Sequence, residues 1–66
     1  MRIASNLRVI RDLSGLTQTE LSEMCGVSQG RISQYEHGEG LSTVYRYCRI
    51  AKALGCRLDD LFYVSE

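Results

Sequence analysis

Apolar positions recur along this chain at helical intervals, and glycines punctuate them. Ile3, Leu7 and Ile10 are interleaved with Arg2, Asn6, Arg8, Arg11 and Asp12, which predicts an amphipathic first helix ending near Leu13, where Ser14-Gly15 stops it. Thr17 stands where a second helix needs its cap. Glu20, three residues on, completes a Thr-x-x-Glu capping box, with Leu16 as the staple before it. Leu21, Met24 and Cys25 form that helix's expected buried stripe, and Gly26 follows where a left-handed residue is needed. Ser28 caps a third helix in which Ile32 and Tyr35 point inward while Gln29, Gly30, Arg31, Ser33 and Gln34 cover the opposite, hydrogen-bonding face. His37-Gly38-Glu39-Gly40 reads as a turn. Ser42 or Thr43 then caps a fourth helix, whose apolar side is Val44, Tyr47, Cys48, Ala51 and Leu54 and which Gly55 ends. Leu58, Leu61 and Phe62 predict a short fifth helix that closes the core. The expected fold is therefore all-α, five helices in a single domain spanning 1–66.

Sixty-six residues supply apolar surface for one core only, and a domain this small buries about 60% of the surface its unfolded chain exposes. With 44% hydrophobic and 24% charged residues and no proline, the chain is expected to fold. Eight cations balance eight carboxylates, so a nucleic-acid partner requires an uneven distribution of charge over the surface. Seven of those cations are arginine, whose planar fork suits phosphate and guanine and equally suits structural ion pairs. Cys25, Cys48 and Cys56 lack Cys-x-x-Cys spacing and have only His37 beside them, which argues against a zinc site. They read as three buried free thiols in a reducing cytoplasmic setting. No apolar run reaches the roughly 18 residues of a membrane span, and the start lacks a signal-peptide core. No nucleophile-base pair, carboxylate dyad or phosphate-cradling glycine loop can be assembled, so neither an enzyme nor a cofactor is expected.

The second and third helices are separated by only a few residues around Gly26, the spacing of a helix-turn-helix, in which two helices cross at about 90–120°. Ser22 lies where the helices approach and must be small; Leu21, Ile32 and Tyr35 fill the angle. The runs Leu7-Arg8-Val9-Ile10-Arg11, Gly15-Leu16-Thr17-Gln18-Thr19-Glu20-Leu21-Ser22 and Gly26-Val27-Ser28-Gln29-Gly30-Arg31-Ile32-Ser33-Gln34-Tyr35-Glu36-His37-Gly38 carry a specific pattern. Ile50-Ala51-Lys52-Ala53-Leu54-Gly55 and Leu58-Asp59-Asp60-Leu61-Phe62 complete it. On these residues the chain resembles the Cro/CI phage-repressor type of helix-turn-helix protein, also called the Xre type, over nearly its whole length.

That resemblance implies a double-stranded DNA partner, read by the start of the third helix in the major groove. The base-reading positions it implies are Gln29, Gly30 and Arg31, with Gln34 one turn on. The chemistry agrees, since glutamine pairs bidentately with adenine and arginine with guanine. Gly30 either lets the backbone approach closely or contacts nothing. Gln18 matches a position that contacts phosphate and braces the base-reading glutamine. Thr17, Ser28, Ser33, Thr43 and Arg46 are further phosphate candidates, although capping alone also explains Thr17, Ser28 and Thr43. Arg11 and Glu36 match a buried structural salt bridge of the family.

The turn Glu36-His37-Gly38-Glu39-Gly40-Leu41-Ser42 departs from the family pattern, which often has Lys or Arg and a proline there. His37 is expected to be a solvated turn residue. A repressor acting as a homodimer on a palindromic operator is the expected function, with Phe62, Tyr63 and Val64 as the dimer surface. The rival reading is a protein-interaction or antitoxin-like module on the same fold, favoured by the zero net charge and the acidic turn.

Overall fold

The computed structural model describes residues 2–39 and 44–65. Helices α1 (Leu7–Leu13), α2 (Gln18–Cys25), α3 (Gln29–Glu36) and α4 (Val44–Leu54) form close to where the glycines and caps mark them. Before α2 the capping box is complete: Thr17 Oγ1 accepts from the Glu20 amide at 3.0 Å, and Glu20 Oε1 accepts from the Thr17 amide at 2.9 Å. Hydrogen bonds to it from the Thr17 amide, first, and then from the Thr17 side chain hold the Glu20 carboxyl below its ordinary pKa. At the head of α3, Ser28 Oγ accepts from the Arg31 amide at 3.3 Å. The caps expected at Ser42 or Thr43 lie outside the described residues.

The fold is not all-α, and there is no fifth α-helix among the described residues. Leu58–Leu61 makes a single 3-10 turn, and the chain ends form two short strands, β1 (Arg2–Ser5) and β2 (Phe62–Ser65). They pair antiparallel, with Ile3 opposite Val64, Ala4 opposite Tyr63 and Ser5 opposite Phe62. Ile3 therefore belongs to β1 rather than to α1, and it is exposed. Phe62-Tyr63-Val64 is an aromatic and β-branched run that favours extended backbone once a partner strand is at hand. Asn6 locks the ribbon to the 3-10 turn, its backbone amide donating to the Leu61 carbonyl at 2.7 Å and its side chain to the Asp60 carbonyl at 3.3 Å.

Two of the expected buried stripes shift. Along α2 the inward residues are Leu21 and Cys25, and Val27 beyond the corner completes their cover; Met24 faces solvent. Along α4 Tyr47, Ile50 and Ala51 are buried and Leu54 is half-buried, an i, i+3, i+4, i+7 stripe, whereas Val44 and Cys48 are exposed. Cys25 alone of the three thiols is buried, and Cys56 is half-buried, its thiol pushed up first by desolvation and then by Asp60.

Leu7, Leu21, Ile32, Tyr35, Tyr47, Ile50 and Leu61 are almost wholly enclosed. Tyr47 joins three elements: its ring centroid lies 4.6 Å from that of Tyr35 on α3 and 4.7 Å from that of Phe62 on β2. Burial, with Tyr35 adding, pushes the Tyr47 phenol up to about 12, and its hydroxyl donates to the Glu39 carbonyl at 3.4 Å. This stack is what fixes α3 at a set height above α4 and the terminal ribbon.

The corner between α2 and α3 turns on Gly26, whose φ is +72°. A Cβ there would also run into the Arg49 guanidinium. Gly30, in the first turn of α3, has open space around it. Gly26→Ala should therefore cost about 1–2 kcal/mol, the left-handed penalty, since the Arg49 side chain can move aside. Gly30→Ala should stabilise by about 0.4–1 kcal/mol by restricting the unfolded chain. Thermal or urea unfolding of both variants checks this, and equal effects at the two sites would contradict it.

Candidate nucleic-acid interface

The corner at Gly26 turns α3 so that one face packs inward through Ile32 and Tyr35 while the other stays outside. Gln29, Gly30, Arg31 and Gln34 are all exposed, Ser28 is exposed beside them, and Ser33 is half-buried. Gln18, in the first turn of α2, is half-buried next to this surface. Its Oε1 accepts a hydrogen bond from Gln29 Nε2 at 3.2 Å, so the two glutamines bridge the gap between the helices. Gln18 Nε2 in turn donates to Glu36 Oε1 at 3.0 Å.

Glu36 is the anchor of this chain of bonds. Its side chain is only 4% exposed, and Arg11 Nε lies 2.6 Å from its Oε2, with Arg11 Nη2 donating to Oε1 at 3.3 Å. The two nitrogens meet the two oxygens in a fork-to-fork pair. Arg11 also donates through Nη1 to the Leu16 carbonyl at 2.7 Å and sits 3.2 Å from Asp12 Oδ1. The bond to Glu36 raises the Arg11 pKa, burial opposes the rise, and the charges of Glu36 and Asp12 add to it. One ion pair thus ties α1, the loop before α2, and the end of α3.

The remaining expected contacts are more dispersed. Thr17 is exposed, but its amide donates to Glu20 Oε1 and its hydroxyl oxygen accepts from the Glu20 amide, so the capping box engages both groups. Arg46 is half-buried on α4, and Thr43 lies outside the described residues. His37 is exposed, and its Nδ1 donates back to the Ser33 carbonyl at 2.7 Å, because a carbonyl can only accept. Phe62 is half-buried against Tyr47, whereas Tyr63 and Val64 are exposed. Together with Ile3 and Val44, neither of which the sequence pattern singles out as surface, they line an apolar groove of about 320 Å³ edged by Asp59.

The cations are unevenly engaged. Arg8, Arg11 and Arg57 pair with Asp12, Glu36 and Asp59, while no carboxylate among the described residues pairs with Arg31, Arg46, Arg49 or Lys52 on α3 and α4. Arg49 lies instead over the Tyr45 ring, 5.8 Å from its centroid. No described helix is long and apolar enough to cross a membrane. The described residues contain no cluster of three metal-binding side chains.

Residues 7–61 match the Helix-turn-helix family. This chain is a Cro/CI-type (Xre) helix-turn-helix protein. It is 34% identical over 61 residues to the cryptic phage CTXphi transcriptional repressor RstR of Vibrio cholerae, covering 92% of this chain and 54% of that one. It is also 45% identical over 56 residues to a protein of Pyrococcus furiosus described as an HTH-type transcriptional regulatory protein, covering 85% of this chain and 15% of the relative. The chain thus spans about half or less of the curated relatives it matches. The helix-turn-helix family is one of DNA-binding transcription regulators and not a class of enzymes. Matching on composition alone would have missed it, since the net charge is zero.

The second bond of Glu36, to Gln18, is a site feature that no local spacing reveals, for the two residues are 18 apart in sequence. Removing either member of the ion pair should be costly. Glu36→Ala leaves the buried guanidinium with only the exposed Asp12 and the Leu16 carbonyl and should lose about 3 kcal/mol, whereas Arg11→Met combined with Glu36→Leu should lose far less. Urea unfolding distinguishes the cases; a double variant as unstable as the single one would contradict the reading.

Proposed function

We propose that this helix-turn-helix protein is a transcriptional repressor that binds a palindromic double-stranded DNA operator as a homodimer, with α3 lying in the major groove. The observation that carries this is the exposed face of α3. Gln29, Arg31 and Gln34 line it, their amide and guanidinium groups have the donor and acceptor geometry of base edges, and it is held outward by a rigid corner. Gly30 presents no side chain there and leaves room for close approach of the backbone. Thr17, Gln18, Ser28 and Ser33, together with Thr43 and Arg46, serve as phosphate contacts on either side. The repressor relative from a cryptic phage supports the sign of regulation.

A lone domain of this size meets too few bases for useful specificity, which supports pairing of two copies. The apolar groove at Ile3, Val44, Phe62, Tyr63 and Val64 is the surface we assign to it. The interaction-module alternative loses part of its support because Glu36 is neutralised by Arg11 inside the molecule and adds no free charge to the turn.

Gel-shift titration across salt with duplexes from in vitro selection tests the proposal. Affinity should fall linearly on a log–log plot against salt, and a duplex with two half-sites about 10–10.5 bp apart should bind much more tightly than one with a single half-site. Gln29→Ala should relax preference at one or two base pairs, while Arg46→Ala should weaken all sequences alike and reduce the salt slope by about 1. Binding that is absent at low salt, or uniform loss in both variants, would contradict the assignment.

A further inference from the structure

We propose that the groove between the end of α2 and the middle of α4 is a second interaction surface, which takes an acidic peptide segment of a partner protein anchored by one apolar side chain. The groove is open, has a volume of about 500 Å³, and is lined by Met24, Cys25, Arg49, Lys52 and Ala53. None of these residues belongs to the α3 face or to the apolar groove at the terminal ribbon, so the surface is separate from both. Its floor is apolar and its rim is cationic. Met24 is 55% exposed, whereas Leu21 and Cys25 on the same helix are buried. On α4, Ala53 is half-buried, and Arg49 and Lys52 are both exposed. No carboxylate among the described residues pairs with either cation. Arg49 is also confined: a Cβ at Gly26 would collide with its guanidinium, and the Tyr45 ring centroid lies 5.8 Å from it. A cation held in this way has less side-chain entropy to lose when a carboxylate meets it.

The charge of the rim and the apolar floor together select the occupant. Phosphate would match the cations and gain nothing from Met24 and Ala53. A peptide can set carboxylates against Arg49 and Lys52 and lay an apolar side chain on the floor, where the flexible, polarisable thioether of Met24 adapts to it. A second copy of this chain is poorly equipped to do the same. Asp12 and Asp59 are paired with arginines, Glu20 and Asp60 accept from backbone amides at helix caps, and Glu36 is enclosed with Arg11. Among the described residues only Glu23 and Glu39 are left without such a partner, one on α2 and the other in the loop after α3. The carboxylates therefore come from a different protein.

Selection from a random library of short displayed peptides on the immobilised whole chain, without DNA, tests the proposal. Enriched sequences should carry Asp or Glu on both sides of one Leu, Met or aromatic residue, and the same sequence with Lys in place of those acids should not bind. The affinity of a synthesised enriched peptide, read by fluorescence anisotropy, should fall about fivefold or more in Lys52→Glu, in Arg49→Glu and in Met24→Ser. All three substitutions are at exposed positions, and thermal unfolding near the wild-type temperature verifies each fold. If Arg49→Glu disturbs the Gly26 corner, Lys52→Glu and Met24→Ser decide. Peptide affinity should be the same with and without duplex DNA. Absence of enrichment, enriched peptides without carboxylates, or affinity unchanged in Lys52→Glu and Met24→Ser overturns the proposal. A duplex that displaces the peptide assigns the cations to phosphate, and self-association lost in Lys52→Glu assigns the groove to a second copy; either result overturns it as well.

Discussion

A carboxylate buried near the end of α3 constrains the rest of this molecule. Enclosing the charge of Glu36 is unfavourable unless an opposite charge and further donors meet it, and Arg11 and Gln18 are those donors. Satisfying it draws α1, the α2 N-terminus and the α3 C-terminus to one point, because Arg11 is on α1, Gln18 on α2 and Glu36 on α3. The hydrophobic core could tolerate small sliding of these helices against one another. A fork-to-fork ion pair with a bond of 2.6 Å could not. The aromatic stack of Tyr35, Tyr47 and Phe62 then sets the same helices against α4 and the terminal ribbon from the other side.

Function follows from what this arrangement leaves exposed. Arg31 and Gln34 on the outer face of α3 are exposed, and Gln29, bonded to Gln18 through Nε2, still turns its amide oxygen to solvent-exposed surface where a ligand can meet it. Acidic and basic groups are not spread evenly. Several carboxylates are spent on capping α2, on the 3-10 turn and on ion pairs, whereas Arg31 and Arg46 carry no described counter-charge. A chain of zero net charge can in this way present unneutralised cations on α3 and α4.

How legible this was in the sequence depended on the range of the interactions involved. Local signals held: the Thr17–Glu20 box, the Ser28 cap and the left-handed Gly26 are all set by residues within one turn of each other. Ile3 misled because its spacing to Leu7 and Ile10 imitates a helix, while its true partner, Val64, lies at the far end of the chain. For the same reason Phe62 reads as part of a closing helix until β1 is placed beside β2. The α4 stripe was misplaced toward Val44 and Cys48, since several apolar residues there allow more than one helical face; only the packing of Tyr47 and Ile50 chooses between them. The exposed groups of the α3 face were readable from polarity alone, but the Gln18–Glu36 bond was not, being a tertiary contact between the start of α2 and the end of α3, 18 residues apart in sequence.

The most direct measurement of the central claim is an NMR titration of the whole chain with a short cognate duplex, following backbone amides and the glutamine side-chain amides together. The largest shifts should fall on residues 28–34 and on the Gln18 and Gln29 side chains, with little change at Ile3 or at Tyr63 and Val64. Shifts concentrated on the terminal ribbon, with the α3 face unmoved, would contradict it.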